Sequence, residues 1–268
     1  MLPQPIGRKL LPGLFFYLTK PHNPSDTPST ARHVYANIRY THPVVDVAFN
    51  LKRLADEIQS VAIACGRSPG EVRLLAVSKT MSEDHVQLAQ AVGQRLFGEN
   101  RVQEAAQKIP RVHGENLEWH LIGPLQSNKA QSAVELFDVI QTLDRTRIIH
   151  RVNRCAEKLN KLLPVFIEVN IGEESQKHGV PMDQLPAIVE LVDSMPHLAL
   201  QGLMAIPPYR EEAEASRPYF QRMYQLLQEL NRGRPKPLRE LSMGMTHDFR
   251  VAIQEGATLV RVGTAIFG

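Results

Sequence analysis

The chain has 268 residues, of which 43% are apolar and 22% are charged, and its formal net charge is +3 at pH 7. A chain of this length can bury one sizeable core, and the small net charge, with basic and acidic residues interleaved, argues against a nucleic-acid-binding surface. No apolar run approaches the roughly 20 residues that a membrane-spanning helix needs, and Cys65 and Cys155 suggest neither a disulfide framework nor a zinc site. We therefore expect a cytoplasmic globular protein that binds neither nucleic acid nor membrane.

Residues 1–45 differ from the rest of the chain. They are rich in proline, carry Asp26 as their single acidic residue, and show no core-forming periodicity. A basic pair followed by apolar residues weakly resembles a signal peptide, but Pro12 and Gly13 interrupt the apolar run and no small-residue cleavage site follows closely. We expect residues 1–45 to form a disordered extension and residues 46–268 to form one domain.

The first predicted element of this domain is an amphipathic helix. Val47, Leu51, Leu54, Ile58 and Ala62 recur at the three- and four-residue spacing that places them on one helical face. After this helix, short β-type runs alternate with stretches whose apolar residues recur with a period near 3.6. The β-type runs cover residues 74–78, 95–98, 118–122, 139–142, 165–170, 200–205, 240–242 and 259–262.

The alternation of β-type and helical stretches predicts the architecture. Eight such units favour a single closed parallel (β/α)₈ barrel, or TIM barrel, over separate domains. Because the sequence ends directly after the eighth run, we expect the helix at 47–64 to fill the missing place in the outer ring. An open doubly wound sheet is the competing architecture, but it normally has a glycine-rich turn after the first strand, and Ser78-Lys79-Thr80 stands there instead.

Lys79 directly follows the apolar run 74–78, so a barrel strand would deliver it to the C-terminal face, on which barrel active sites are built. A lysine that is partly withdrawn from water loses some preference for its charged form, and the neutral amine needed for a Schiff base then becomes available. The alternative is a lysine whose stem lies along apolar surface while its ammonium group reaches water.

Two glycine-containing segments follow the seventh and eighth predicted strands, where barrels most often bind phosphate. Residues 242–246 (SMGMT) and 261–264 (RVGT) combine glycines, whose N–H groups can approach an anion closely, with the hydroxyls of Ser242 and Thr264. A helix that is predicted to start near Thr246 would point its positive end inward. The alternative is a pair of ordinary turns, but their combination with a lysine on the first strand favours a phosphate site.

Five segments, in order along the chain, carry a resemblance to a known family. From about residue 47 to residue 268 the sequence closely resembles the pyridoxal phosphate homeostasis proteins, which are related to the N-terminal barrel of bacterial alanine racemase. The segments are 76–80 (AVSKT), 97–100 (FGEN), 119–129 (WHLIGPLQSNK), 242–246 (SMGMT) and 260–268 (VRVGTAIFG).

This resemblance implies that the chain binds pyridoxal 5′-phosphate as a Schiff base on Lys79. It also implies that Arg261 meets the pyridine nitrogen and that Asn100 lies beside the ring. Pocket roles are implied for His120 and Asn170 as well, although a histidine on a strand, taken singly, is more often a hydrogen-bonded core residue. The phosphate site would be lined by Ser242, Gly244, Gly263 and Thr264.

Three positions depart from the residues that are common in the family. Arg101 stands where tyrosine is usual and adds a positive charge near the ring or the barrel mouth. Thr246 replaces serine and keeps a hydroxyl, and Leu121 replaces phenylalanine and remains apolar. The N-terminal extension also lies outside the family's usual pattern. These departures leave the predicted phosphate site intact.

Arg261 bears on whether the cofactor would be used for catalysis. Pyridoxal phosphate draws electrons from a substrate carbanion into its ring, and a carboxylate that keeps the pyridine nitrogen protonated strengthens this effect. Arginine stays charged and only donates, which argues against efficient carbanion chemistry, although alanine racemase is thought to use arginine there too. Such racemases also have a β-rich domain that supplies a tyrosine base. This sequence ends at Gly268, so we expect Lys79 to lack the partner that two-base racemisation requires.

We therefore expect a non-catalytic protein that buffers or delivers pyridoxal phosphate. Its expected partners are apo-enzymes that depend on this cofactor, and its expected oligomeric state is a monomer. One alternative is a pyridoxal-phosphate enzyme, such as a weak racemase or lyase, which steady turnover of an amino acid would favour. Another is a Schiff-base aldolase, which would form an imine with a sugar phosphate but show no visible chromophore.

Overall fold

A closed barrel of eight parallel strands dominates the computed structural model, which describes residues 45–174 and 176–268. The last strand pairs with the first, and Arg261 lies opposite Leu75, so the sheet closes on itself. The predicted (β/α)₈ barrel is confirmed, and the open doubly wound sheet is excluded. The strands are β1 (Arg73–Val77), β2 (Leu96–Glu99), β3 (Glu118–Leu121), β4 (Val139–Leu143), β5 (Leu163–Val169), β6 (Leu198–Ala205), β7 (Glu240–Met245) and β8 (Leu259–Val262).

The predicted extension lies outside the described residues, except for Val45. Residues Val45–Gly268 form one unit. In residues 45–174 and 176–268, no helix has the length and apolar character needed to cross a membrane. The same residues contain no group of three or more histidine, cysteine, aspartate or glutamate side chains that could hold a metal ion.

Helices surround the barrel and alternate with its strands. Short 3₁₀ segments cover Ile109–Arg111, Ser127–Lys129, Met182–Gln184 and Ala213–Ser216. The α-helices are α1 (Val47–Ala64), α2 (Glu83–Ala91), α3 (Val102–Lys108), α4 (Ala130–Leu136), α5 (Thr146–Lys158), α6 (Leu185–Asp193), α7 (Arg217–Asn231), α8 (Phe249–Gln254) and α9 (Thr264–Phe267).

Helix α1 occupies the place in the outer ring that the sequence predicted. It begins after Asp46, whose carboxylate accepts a hydrogen bond from the Phe49 N–H at 2.9 Å and so satisfies one free amide of the first turn. Its predicted apolar face is buried against α2, α8 and α9. Asn50 Nδ2 donates to the Ile266 carbonyl at 3.1 Å and joins the first helix to the last.

Strand β7 extends three residues beyond its predicted end. The register of β7 against β8 shifts between Ser242 and Met245, and Met245 still pairs with Arg261. The intervening Gly244 has φ +89°, a left-handed backbone that glycine adopts readily. The glycine therefore marks an irregularity within the strand, whereas the sequence pattern suggested that the strand had already ended.

Every second residue of each strand faces the barrel interior. Val139, Phe166 and Met204 form a separate apolar cluster there. Near the amino ends of the strands, Arg73 forms ion pairs with Glu240 at 3.1 Å and with Glu118 at 4.0 Å. The main hydrophobic core lies in the outer layer, between the sheet and the helices. The interior is thus part apolar and part polar.

Candidate functional site

The carboxyl ends of the strands bring five predicted residues to one mouth of the barrel. Lys79, Asn100 and Asn170 follow β1, β2 and β5, and Gly263 follows β8, while Gly244 lies near the end of β7. In a closed parallel barrel these ends all lie on the same face. The five positions therefore surround one opening.

Lys79, two residues beyond the end of β1, continues the set of side chains that point from this strand into the barrel interior. Leu75 pairs with Arg261, whose guanidinium bonds to groups within the barrel, so Leu75 points inward. Val77 and Lys79 share its side because side chains alternate along an extended chain. Ser78 continues the pairing beyond the strand, since its N–H donates to the Gly98 carbonyl at 3.0 Å. Lys79 itself is exposed, so its amine is accessible at the mouth.

Arg261 lies in the interior beneath the mouth and is 3% exposed. Its Nη1 donates to Ser242 Oγ at 2.7 Å and its Nη2 donates to the Ala205 carbonyl at 2.8 Å. Burial lowers the pKa of Arg261 to about 10, and the charges of Glu168 and Asp248 oppose this change. The guanidinium is therefore charged at neutral pH and forms a fixed hydrogen-bond donor.

Glu168, to which the sequence analysis assigned no role, is an inward residue of β5 and is 8% exposed. Removal from water raises the pKa of Glu168 to about 7, and the charge of Asp144 adds to the rise. The positive charges of Arg261 and Arg145 act in the opposite direction. A carboxyl group within the otherwise apolar run 165–169 was the only sequence signal for this residue.

We expect Glu168 to make the stability of the ligand-free protein depend on pH. Its pKa of about 7 in the folded state lies above the ordinary value of 4.5, so the folded state binds the proton more tightly. This contribution is fully present below pH 4.5 and is lost as the pH rises through about 7. Its upper bound is about 3 kcal/mol. Glu168→Gln should therefore flatten the change in unfolding free energy between pH 5 and pH 8, measured by urea titration.

The exposed carboxylate of Glu211 provides the control for this measurement. Glu211→Gln should leave the pH dependence of the wild-type protein unchanged. If Glu168→Gln and the wild-type protein lose the same unfolding free energy over that interval, the buried carboxyl group is not the source of the dependence.

The two glycine segments allow close approach of the backbone at the mouth. A Cβ atom at Gly244 would lie 2.5 Å from Ala252 Cβ and 3.1 Å from Phe249 Cα. A Cβ atom at Gly263 would lie 3.0 Å from the carbonyl oxygen of Val77. Any side chain would therefore disturb the packing of both segments.

The helices after these segments differ in what they offer an anion. Helix α8 begins at Phe249, later than the predicted start near Thr246. The preceding Met245 N–H donates to Asp248 Oδ1 at 2.8 Å, so a carboxylate already satisfies it. Helix α9 begins at Thr264, two residues after β8, and the first amides of a helix have no partner within it. The exposed hydroxyl of Thr264 is thus accessible to a ligand.

A chain of hydrogen bonds crosses the barrel interior from Arg261 to Glu118. Ser242 Oγ accepts from Arg261 and donates to Gln141 Oε1 at 2.6 Å. Gln141 Nε2 lies 2.7 Å from His120 Nδ1, and His120 Nε2 lies 2.6 Å from Glu118 Oε1. The bond from His120 is the main reason why the pKa of Glu118 is lowered. The Ser242 hydroxyl is therefore engaged in orienting Arg261.

His120 has the surroundings of a hydrogen-bonded core residue, which was the alternative left open by the sequence. It is 1% exposed, and both ring nitrogens have partners. It also borders a cavity of about 550 Å³ at the amino ends of the strands, together with Arg73 and Glu240. The structure thus places His120 deeper in the barrel than the mouth that holds Lys79.

The two asparagines at the mouth differ in their hydrogen bonding. Asn100 Oδ1 is buried and has no hydrogen-bond partner in the described part of the chain. Asn170 Nδ2 donates to the Glu174 carbonyl at 2.9 Å, and its Oδ1 accepts from the Glu174 N–H at 3.2 Å. Asn170 therefore shapes the loop after β5, whereas Asn100 has an acceptor oxygen that a ligand could satisfy.

Arg101 lies beside the mouth in a groove of about 690 Å³. Its guanidinium pairs with Glu104 at 2.9 Å, and its side chain is 69% exposed. The positive charge that departs from the family pattern is therefore paired and solvated. Other residues that line this groove are Asn100, Lys129, Arg145 and His178.

A buried ion pair between Lys108 and Glu99 was also missed by the sequence analysis. Lys108 Nζ lies 2.7 Å from Glu99 Oε1, on the outer side of the barrel. Glu99 stood in the recognised segment 97–100 without an assigned role. The available signal for Lys108 was its three-residue spacing from Ala105, which is buried on the same face of α3.

Comparison with known proteins gives consistent matches over the barrel. The chain matches the family model described as alanine racemase, N-terminal domain, over residues 49–268. It is 42% identical over 222 residues to the pyridoxal phosphate homeostasis protein of Pasteurella multocida, a match that covers 82% of this chain and 95% of that protein. It is 36% identical to PipY of Synechococcus elongatus, whose structure was solved with PLP bound, with a TM-score of 0.74 and coverage of 83% of this chain and 100% of PipY.

The similarity to solved racemases extends to the fold alone. Alanine racemase from Corynebacterium glutamicum is 16% identical to this chain, with a TM-score of 0.60. The match covers 83% of this chain but only 60% of the racemase chain. The racemase thus shares the barrel and has a further part that the match does not include.

Proposed function

The chain belongs to the pyridoxal phosphate homeostasis proteins, within the alanine racemase N-terminal domain family, and on this basis we propose that it holds pyridoxal 5′-phosphate as a Schiff base on Lys79. It is a pyridoxal-phosphate-binding protein of cofactor homeostasis. The observation that carries the assignment is the convergence of Lys79, the buried Arg261 and two glycine segments at one barrel mouth.

The residues at the mouth fit this cofactor in three independent ways. The buried Asn100 Oδ1 lacks a partner in the described chain, so a polar group of a ligand could satisfy it. Gly244 and Gly263 pack too closely against neighbouring residues to carry a Cβ atom, and without a side chain their backbone N–H groups can approach a phosphate. The exposed hydroxyl of Thr264, at the start of α9, can donate to a phosphate. These features support the proposed phosphate site around Gly244, Gly263 and Thr264.

Lys79 supplies the covalent anchor. Its neutral amine adds to the aldehyde carbon, a C=N bond forms, and the aldehyde oxygen leaves as water, so no oxidant or reductant is needed. The exposed position of Lys79 lets it exchange protons with solvent, which the addition and the loss of water both require. Lys79 thereby makes retention of the cofactor covalent and reversible.

Arg261 is proposed to donate to the pyridine nitrogen. Ser242 and Ala205 hold the guanidinium in place, and Ser242 therefore contributes through Arg261 more than through direct contact with phosphate. His120 is proposed to act in the same indirect way, through Gln141 and Ser242. Asn170 is proposed to border the pocket by holding the loop after β5 in place.

We propose that the chain is a carrier and not an enzyme. The bound cofactor supplies an aldehyde that condenses with amines and a ring that can accept electrons. Arg261 remains charged and cannot give a proton to the ring nitrogen as a carboxylic acid does, so it favours the less electron-withdrawing ring. The curated relatives are named for homeostasis and match over 95% or more of their length. A weak racemase or lyase is the second candidate, favoured by the shared barrel of alanine racemase.

The test of cofactor binding is a titration of the ligand-free protein with pyridoxal 5′-phosphate. We expect an absorption band at about 420 nm, typical of an imine of this cofactor. Borohydride reduction followed by peptide mass analysis should locate the reduced cofactor on Lys79. No band at saturation would contradict the assignment, and a label spread over surface lysines would contradict Lys79 as the anchor.

The test of the carrier role uses the loaded protein and the apo-form of a pyridoxal-phosphate-dependent enzyme. We expect the loaded protein to restore activity to the apo-enzyme, while amino acids offered to the loaded protein alone are not turned over. Adding a phosphatase that destroys free cofactor separates direct transfer from release into solution. Steady amino-acid turnover would instead favour the enzyme. We propose that this role is exercised in the reducing cytoplasm, where the thiols of Cys65 and Cys155 would remain free.

A further inference from the structure

A buried network adjoins the turn that carries Lys79. Lys108, at the end of α3, donates from Nζ to Glu99 Oε1 and to the Ser78 carbonyl oxygen, both at 2.7 Å. Ser78 Oγ donates to the same Glu99 oxygen at 2.7 Å. Ser78 and Glu99 are fully buried, and Lys108 is 8% exposed. The network therefore joins the end of β1, the end of β2 and α3.

This network lies on the opposite side of the sheet from the proposed cofactor site. Ser78 and Glu99 meet each other and α3 on the outer side of the barrel. Lys79 and Asn100, the next residues along each strand, point to the other side because side chains alternate. Lys108 thus contacts the backbone next to the anchor without contacting the pocket.

The backbone around Lys79 is a tight turn with one strained residue. The Met81 N–H donates to the Ser78 carbonyl at 3.0 Å and closes a four-residue turn. Thr80, the third residue of this turn, has φ +65°, a left-handed conformation that β-branched residues rarely adopt. The Ser78 carbonyl accepts from both Met81 and Lys108, so the buried ammonium group holds one end of the strained turn.

The ion pair is better explained by orientation than by stability. Removing two charges from water offsets most of the attraction between them, so a buried pair adds little stability by itself. Lys108 divides its donors between Glu99 and a backbone carbonyl, and Glu99 Oε2 has no hydrogen-bond partner among the described residues. Glu99 therefore holds the ammonium group at the position from which it reaches Ser78.

We propose that Lys108 and Glu99 are positioning residues for Lys79. They fix the Ser78 carbonyl and hence the direction in which the Lys79 side chain leaves the turn, so the amine is presented to the cofactor aldehyde in a reactive orientation. The inference rests on the proposed Schiff base on Lys79. It adds two residues that act on the imine without contacting the cofactor.

The test compares imine formation with non-covalent binding in the full chain. Glu99→Gln combined with Lys108→Met removes both charges together and leaves no unpaired buried charge. We expect this double variant to form the imine with pyridoxal 5′-phosphate at least about tenfold more slowly than the wild type. Its affinity for pyridoxine 5′-phosphate, which has an alcohol in place of the aldehyde, should not change. The single variant Lys108→Arg, which can still donate to Ser78 and Glu99, should keep most of the wild-type rate of imine formation.

Two outcomes would overturn the positioning role. A double variant with the wild-type rate shows that the network does not orient Lys79. Equal losses of imine rate, pyridoxine 5′-phosphate affinity and melting temperature show a general structural role. If the double variant does not fold, Glu99→Gln combined with Lys108→Gln, which also leaves no unpaired buried charge, permits the same comparison. A wild-type protein that binds pyridoxine 5′-phosphate but forms no imine would instead overturn the Schiff base itself, and the inference with it.

Discussion

We expect Lys79→Ala to abolish the imine absorption band and to weaken pyridoxal 5′-phosphate binding by at least about a hundredfold, or about 2.7 kcal/mol. Lys79 supplies the proposed covalent bond from the turn that follows β1 at the barrel mouth. Because Lys79 is exposed, its truncation leaves no cavity in the core, and the unfolding free energy should stay unchanged. Spectroscopic titration and equilibrium dialysis of the ligand-free variant measure the two effects.

Two further variants test whether the amine of Lys79, and not merely a positive charge or any lysine, is required. Lys79→Arg keeps the positive charge at the mouth, but its guanidinium does not form the imine, so the band should be absent here too. Lys158→Ala removes an exposed lysine at the end of α5 and should retain both band and affinity. A band that persists in both Lys79 variants would show that another amine holds the cofactor.

Gly244→Ala should be strongly destabilising and should also weaken cofactor binding. The new Cβ atom would lie 2.5 Å from Ala252 Cβ and 3.1 Å from Phe249 Cα, and φ +89° is unfavourable for alanine. Left-handed strain and overpacking each cost about 1–3 kcal/mol, so we expect a loss of at least about 2 kcal/mol of unfolding free energy. Urea unfolding of the ligand-free protein measures the loss, and a titration with pyridoxal 5′-phosphate measures the affinity.

Gly233→Ala is the matched control for this substitution. Gly233 has φ +78°, but a Cβ atom there would meet nothing within 4 Å. Only the backbone strain remains, so the expected loss is about 1 kcal/mol, with cofactor affinity unchanged. Equal losses of unfolding free energy in the two variants would show that the close approach of β7 to α8 at Gly244 does not contribute to the destabilisation.

The barrel could be predicted because its pattern is local and repeated. Each strand is a short apolar run, and each following helix has a 3.6-residue period, so the order of elements is visible along the chain. Closure is not local, because the pairing of Leu75 with Arg261 joins residues at opposite ends of the domain. It was inferred from the number of units and from the absence of a glycine-rich turn at Ser78-Lys79-Thr80. The end of β7 was misplaced because Gly244 marks an irregularity within the strand.

The site was predictable where position along a strand decides the role. Lys79, Gly244 and Gly263 reach the mouth because they stand at strand ends. Hydrogen-bond partners could not be predicted from position along a strand, because they depend on the register between strands that are distant in sequence. The bonds of Ser242 to Gln141 and Arg261 therefore could not be foreseen. Nor could the raised pKa of Glu168, which depends on burial and on charges from other strands.

The hydrogen-bonded chain inside the barrel has a direction that follows from the cation at its end. Arg261 only donates, so the Ser242 hydroxyl accepts from it and passes its single hydrogen to Gln141. Gln141 then presents its NH₂ group to His120 Nδ1, and the ring hydrogen on Nε2 points to Glu118. A ring hydrogen on Nδ1 instead would face the NH₂ group of Gln141, so that tautomer would require the Gln141 amide to turn over. One continuous chain of hydrogen bonds thus joins Arg261, below the mouth, to Glu118, near the amino ends of the strands. The cation at one end of this chain favours one tautomer of His120 near the other.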